Sequence, residues 1–324
     1  MAVAAPPGAA PSIRQRVLEQ GARIRRVKLV DRLAVGFITF GGIFVIVAVS
    51  FIFVFMVGES LPLFRPAHGE AKGAMSLAGP LEPGPPLVIG VDEYQMYVYE
   101  VRRDGRTLFF RAADGSFARE FPPASLAGAR VASASRSLTG DYVALGTSDG
   151  RVSLQQVRFR PRYEDQKLAD LDVDVLDRGL VELDPGRRPI REVVYGEADG
   201  RKTVAAVVAV DEILVYRTTD EGTEERQALR TRDAERVSHV RLGRSDTLIA
   251  AGERGNLYHW ELSPEARLTE VVKVSEEPIT AVEHTLGGVT AVVGDTKGNL
   301  TGWFRARLRD EDAELKFVKA HTYP

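Results

Sequence analysis

The residues with chemical potential in this chain are five histidines, a run of alternating aspartates and a set of glycine-rich turns. His68, His239, His259, His284 and His321 are scattered through 324 residues. No two of them stand four apart, as two zinc ligands on one helical face would. The chain has no cysteine, which excludes disulfides, thiolate metal sites and a cysteine nucleophile. Asp170, Asp172 and Asp174 have the spacing of the first half of a calcium loop. Position six of that loop is Val175 where glycine is needed, and position twelve is Val181 where a bidentate Glu is needed. The aspartates therefore read as a solvated strand edge within a charged insert, and charge on an edge discourages aggregation. There is no Walker P-loop and no G-x-S-x-G elbow. The expectation is a chain that is not an enzyme and holds no metal or cofactor. Any ATP hydrolysis would belong to a separate subunit. A net charge of −2 gives no pull toward nucleic acid.

The elements around these residues begin with an apolar run. Leu33 to Gly58 is 26 residues without a charge. At about 1.5 Å per residue such a helix crosses a hydrocarbon core of about 30 Å with some tilt. It shows no polar stripe, so it does not read as a globular core helix. A cleaved signal peptide has a shorter core and a small-residue cleavage site, so the run reads as a retained span. Arg14, Arg16, Arg23, Arg25, Arg26, Lys28 and Arg32 precede it against Glu19 and Asp31, while the charges that follow are balanced. The positive side stays in the cytoplasm. Residues 1–32 then form a basic cytoplasmic tail, 33–58 a transmembrane helix in contact with lipid, and the rest lies outside. Residues 11–30 read as a short amphipathic helix at the membrane surface. Gly41 and Gly42 lie mid-span, where small residues let another helix approach.

Residues 59–86 are rich in Pro and Gly and read as a linker. From residue 87 to 324 the texture is short β-rich runs between turn residues. Three runs are alike: YVALGTSDGRVSL (142–154), LIAAGERGNLYHW (248–260) and TAVVGDTKGNLTGW (290–303). Two weaker copies span Leu87 to Tyr99 and Val204 to Tyr216. Taking Gly90, Gly146, Val210, Gly252 and Gly294 as register gives steps of 56, 64, 42 and 42 residues. A step near 42 is the length of a four-stranded propeller blade. The longer steps imply inserts, one of them from Arg158 to about Arg188. The fold class is therefore all-β, a β-propeller-like domain with WD40-like repeats, preceded by one helix. Trp260 and Trp303 are expected as packing groups between blades. About five blades are visible. The last residues read as the lead-in to another, so the domain is expected to be incomplete, with a closed five-bladed ring as the alternative.

The span and its borders, Asp31-Arg32-x-Ala34, Ile38, Gly41-Gly42-x-x-Val45-Ile46 and Leu61-Pro62-Leu63-Phe64, resemble the first transmembrane helix of bacterial phosphate ABC-transporter permeases. The relevant branch carries a large WD40-like periplasmic domain after that helix, and Leu145-Gly-Thr-Ser-Asp-Gly150 with Val157-x-Phe159 is similar to it. The resemblance covers residues 28–324. It implies phosphate transport in the inner membrane, with the propeller in the periplasm. It also implies three partners: a second permease subunit, an ATPase subunit and a periplasmic phosphate-binding protein. The chain lacks the later helices and the cytoplasmic coupling loop, and no residue is assigned to phosphate. The alternative is a membrane-anchored propeller that serves as an interaction scaffold in the cell envelope.

Overall fold

The computed structural model describes residues 13–61 and 74–323, with short gaps at 75, 80–83, 124–125, 127, 199, 219–221, 245 and 310–313. Pro62 to Phe64 and most of the Pro/Gly-rich linker lie outside the described residues, as do the side chains of residues 13–26. The chain divides into two units, Met1–Gly73 and Ala74–Pro324.

The described residues of the first unit form one helix, α1 (Ile13–Ser60), of 48 residues, about 72 Å long. The sequence suggests a surface helix followed by a separate span; the structure joins them. The junction VKLVDRL (27–33) contains no glycine or proline to end a helix. Within α1, Val27–Ser60 is apolar and long enough to cross a membrane, and none of it is buried in the protein. Phe40 and Phe44 stack one turn apart at 6.5 Å.

Among the described residues the second unit has twenty strands in five four-stranded antiparallel sheets, each made from consecutive strands. Blade 1 is β1 (Val88–Val91), β2 (Tyr97–Val101), β3 (Thr107–Arg111) and β4 (Phe117–Phe121). Blade 2 is β5 (Val131–Arg136), β6 (Tyr142–Thr147), β7 (Arg151–Glu164) and β8 (Lys167–Glu182). Blade 3 is β9 (Glu192–Ala198), β10 (Arg201–Val207), β11 (Glu212–Thr218) and β12 (Glu224–Arg230). Blade 4 is β13 (Val237–Leu242), β14 (Thr247–Gly252), β15 (Asn256–Glu261) and β16 (Arg267–Lys273). Blade 5 is β17 (Ile279–His284), β18 (Ala291–Asp295), β19 (Leu300–Ala306) and β20 (Lys316–Tyr323).

Strand pairing corrects the repeat register. The turn between second and third strands is closed by Val101↔Thr107, Gly146↔Val152, Val207↔Ile213, Ala251↔Leu257 and Gly294↔Leu300. Each closing pair encloses five residues, and successive blades are 45, 61, 44 and 43 residues apart. Gly105, Gly150, Gly255 and Gly298 occupy the fourth enclosed place with φ of 81–87°, a conformation that glycine adopts without a Cβ clash. Blade 3 has Asp211 there instead. Gly90 therefore does not belong to the repeat's turn: it lies on β1, where a Cβ would meet the Tyr99 ring at 2.3 Å. Val210 lies inside its turn and does not end the second strand, so it too is out of register.

The single long step also has a different origin from a separate insert. β7 and β8 contain 14 and 16 residues, against 4 to 8 in the other strands. They form an extended hairpin arm that straps blade 1. Along it Arg158, Arg160 and Arg162 sit directly opposite Asp174, Asp172 and Asp170, an arrangement that favours opposite charges. The alternate face carries Val157, Phe159, Leu171 and Val173 into the cluster with Tyr99, Phe109, Val143 and Leu145. Asp170 is held by the Tyr97 hydroxyl at 2.9 Å and by Arg162 and Arg111 at 3.5 and 3.6 Å. It is a pinned anchor and not a freely solvated edge.

Apolar clusters join blade 1 to 2, 2 to 3, 3 to 4 and 4 to 5. Each sheet alone is half a core, and burial is completed only by a neighbour.

Candidate interaction face and central channel

The meander sets where every loop lies. Turns between first and second strands share one end of the propeller with turns between third and fourth. The five-residue turns and the blade-to-blade connections lie at the other end. On the first end Tyr94, Leu138, Tyr163, Leu286, Val289, Leu308 and Leu315 are exposed. On the second, Val210 is exposed within a turn, and Leu300 and Tyr323 are exposed at the strand ends of blade 5. Leu286 is 96% exposed, at the tip of the β17–β18 turn.

The turns between first and second strands meet at the channel mouth, whereas Tyr163, Leu308 and Leu315 lie toward the outer rim, at turns between third and fourth strands. Gly288 in the blade 5 turn has φ +66°. A Cβ there would come within 2.8 Å of both Leu138, from blade 2, and Arg244, from blade 4. Three turns thus converge, and Leu138 places an apolar side chain beside the turn that carries Leu286 and Val289. The Arg244 backbone N–H donates to the Gly288 carbonyl at 3.3 Å.

The charges of the channel wall are already satisfied. Arg241 on β13 meets Glu192 on β9 at 2.6 Å and Glu283 on β17 at 3.0 Å, tying the first strands of three blades. Burial opposes the Arg241 charge, but the two carboxylates outweigh it and hold its pKa above the usual guanidinium value. His239 lies 3.7 Å from Glu192. The Ser133 hydroxyl donates to the Ile190 carbonyl at 2.9 Å. The hydroxyl of Ser135 is buried without a partner among the described residues, and burial lowers the His284 pKa against the opposing pull of the Thr290 backbone.

At the opposite end the acids serve the turns. Glu235 accepts from the Arg254 N–H at 2.7 Å, the Asn256 amide at 2.7 Å and the Tyr258 hydroxyl at 2.6 Å. Asp295 accepts from the N–H groups of Lys297 and Asn299, each at 3.0 Å. Asp184 binds Arg188 at 2.8 Å, and that bond holds its carboxyl below the ordinary value. A cleft of about 430 Å³ between blades 2 and 3 is lined by Asp184, Arg188 and Arg226. Its Arg188 is spent on Asp184 and Glu212 and its Arg226 on Glu224. Among the described residues no three His, Asp or Glu side chains are placed to hold a metal ion.

No family model matches the chain, and no curated protein matches it. Among solved structures it is similar to the Myceliophteria thermophila Cps50 (Swd1) β-propeller domain. That match has 17% identity and a TM-score of 0.53, and covers 77% of this chain and 74% of the other. The chain has the β-propeller fold. The two tryptophans pack within this fold. Trp260 is 2% exposed in the cluster between blades 3 and 4, stacked on Tyr258 at 5.6 Å. Trp303, its structural counterpart, is half-buried against the blade 4–5 cluster and donates to the Thr301 hydroxyl at 2.9 Å. Gly41 and Gly42 have no atom within 4 Å of where a Cβ would stand. His259 is buried on β15 and bonded to Thr269 at 2.6 Å. Sequence reading gave no hint of the apolar end face, because its residues sit singly in turns and join only when the ring forms.

Proposed function

We propose that this chain is a membrane-anchored β-propeller scaffold that binds a protein partner through the end carrying Leu286. The observation that supports it is the asymmetry of the two ends. Apolar side chains crowd one set of turns, and the other set is polar with its acids spent on turn geometry. Clustered exposed apolar groups on a folded domain mark interaction sites, and propellers offer such loop faces on a rigid base. In this reading Val27–Ser60 spans the bacterial inner membrane with the N-terminus in the cytoplasm and the propeller in the periplasm. The basic residues before the span support that orientation.

A second reading places the chain in a phosphate-type ABC importer as a permease portion. The open strip at Gly41-Gly42 favours it, because small residues admit a neighbouring helix. The propeller's partner would then be the periplasmic phosphate-binding protein, beside a second permease and an ATPase in the membrane.

Replacing Leu286 and Val289 together by Asp should remove the chain from any larger native membrane complex on a non-denaturing gel. The melting temperature should stay unchanged. Persistence of the complex would reject the docking face. Loss of binding to purified phosphate-binding protein would favour the importer, and loss of a different partner the scaffold.

A further inference from the structure

Positions that are equivalent in strand register ought to share burial, and at one place in the ring they do not. The third-strand member of the pair that closes each five-residue turn is Thr107, Val152, Ile213, Leu257 and Leu300 in blades 1 to 5. The first four are 0–1% exposed, and Leu300 is 39% exposed. Val152, Ile213 and Leu257 each pack into the cluster shared with the following blade. Leu300 therefore stands on the face that a following blade covers. Tyr323, directly opposite it on β20, is 36% exposed on the same face.

The first strands show the other half of the gap. Ile89, Val193, Val240 and Val282 occupy one register position on β1, β9, β13 and β17. Val193, Val240 and Val282 are 0–2% exposed, each in the cluster shared with the preceding blade. Ile89 is 68% exposed. No apolar cluster joins blade 5 to blade 1 among the described residues. The seam thus leaves blade 5 with an uncovered sheet face, while on blade 1 the exposure is confined to β1, since Leu108 and Phe110 on the same face are 0–1% exposed.

We propose that this seam is filled by further sheet of the same repeat, at least one four-stranded blade covalently continuous with β20. The face on blade 5 presents Val292, Leu300 and Tyr323 in the same register as the four covered faces, so its complement is another blade. Each covered face is covered by the next four consecutive strands, so the rule of assembly is in cis. A blade there would seat against Leu300 and Tyr323, and the last such blade would bury Ile89. The apolar end with Leu286 stays outside this seam, so the proposal is independent of the partner-binding reading.

The absence of cysteine makes the test clean. Single variants Ile89→Cys, Leu300→Cys and Leu286→Cys would be labelled with a maleimide in two settings. One is the purified 324-residue chain, and the other is the tagged gene product in its native membrane. The expected result is fast labelling of all three in the purified chain. In the native membrane, Ile89→Cys and Leu300→Cys should label at least tenfold more slowly, in a polypeptide larger than 35.5 kDa. Equal labelling in both settings would overturn the proposal. So would protection in the purified chain, which would mean that five blades close by themselves. Protection in a native polypeptide of only 324 residues would also overturn it, since the covering sheet would then come from another molecule.

Discussion

Val240 and Ile89 hold the same place in the blade register, yet one is sealed between blades 3 and 4 and the other faces solvent. Their chemistry is nearly the same. What differs is the neighbour: Val240 lies among Val194, Ala205, Leu248 and Trp260, and Ile89 has no preceding blade. In a repeat fold, burial belongs to the pair of blades and not to the residue. An apolar side chain on a first strand therefore reports whether a blade stands beside it.

The largest effect that would break this comparison comes from charge. Val240→Asp places an unpaired carboxylate in a dry interface and should cost at least about 4 kcal/mol, enough to unfold blades 3 and 4 in urea titrations. Ile89→Asp in the 324-residue chain should stay within about 0.5 kcal/mol. Similar losses at both positions would mean that the seam is packed. Truncation sharpens the contrast within the covered set. Trp260→Ala should lose about 3–5 kcal/mol. Trp303→Ala, at the half-buried counterpart, should lose about half as much, read as the shift in the urea midpoint.

The smallest expected effect is a pH slope. Burial, with Arg305 nearby, pushes the His259 pKa down to about 3 from an ordinary 6.5. The unfolded chain takes up this proton as pH falls below about 6.5, and the folded chain does so only near 3. Stability should therefore fall as pH drops through that window and be flat above it. His259→Gln should remove that component of the slope. An unchanged pH profile would mean that the ring titrates equally in both states.

The architecture was legible because the repeat shows itself in two residue types, turn glycines and inter-blade tryptophans. The turn glycines at 150, 255 and 298 are required by positive φ, and Trp260 fills an inter-blade space that small residues cannot. The register of blades 1 and 3 was not legible, for physical reasons. Gly90 is kept small by the Tyr99 ring and only imitates a turn glycine. Blade 3 builds its turn with Asp211 at the glycine's place, so nothing marks it. The arm read as an insert because pairs such as Arg162 and Asp170 become neighbours only once the hairpin closes. The apolar end was not legible at all. Leu138 and Leu286 are far apart in the chain, and ring topology alone brings their turns to one mouth.

The most direct test of partner binding at that mouth is site-specific photo-crosslinking in native membranes. A photoreactive residue would be placed at Leu286 in one variant and at Val210, on the opposite end, in another. Partner binding at the mouth predicts a discrete protein adduct from position 286 and none from position 210. No adduct at 286, or the same adduct from both ends, would contradict it.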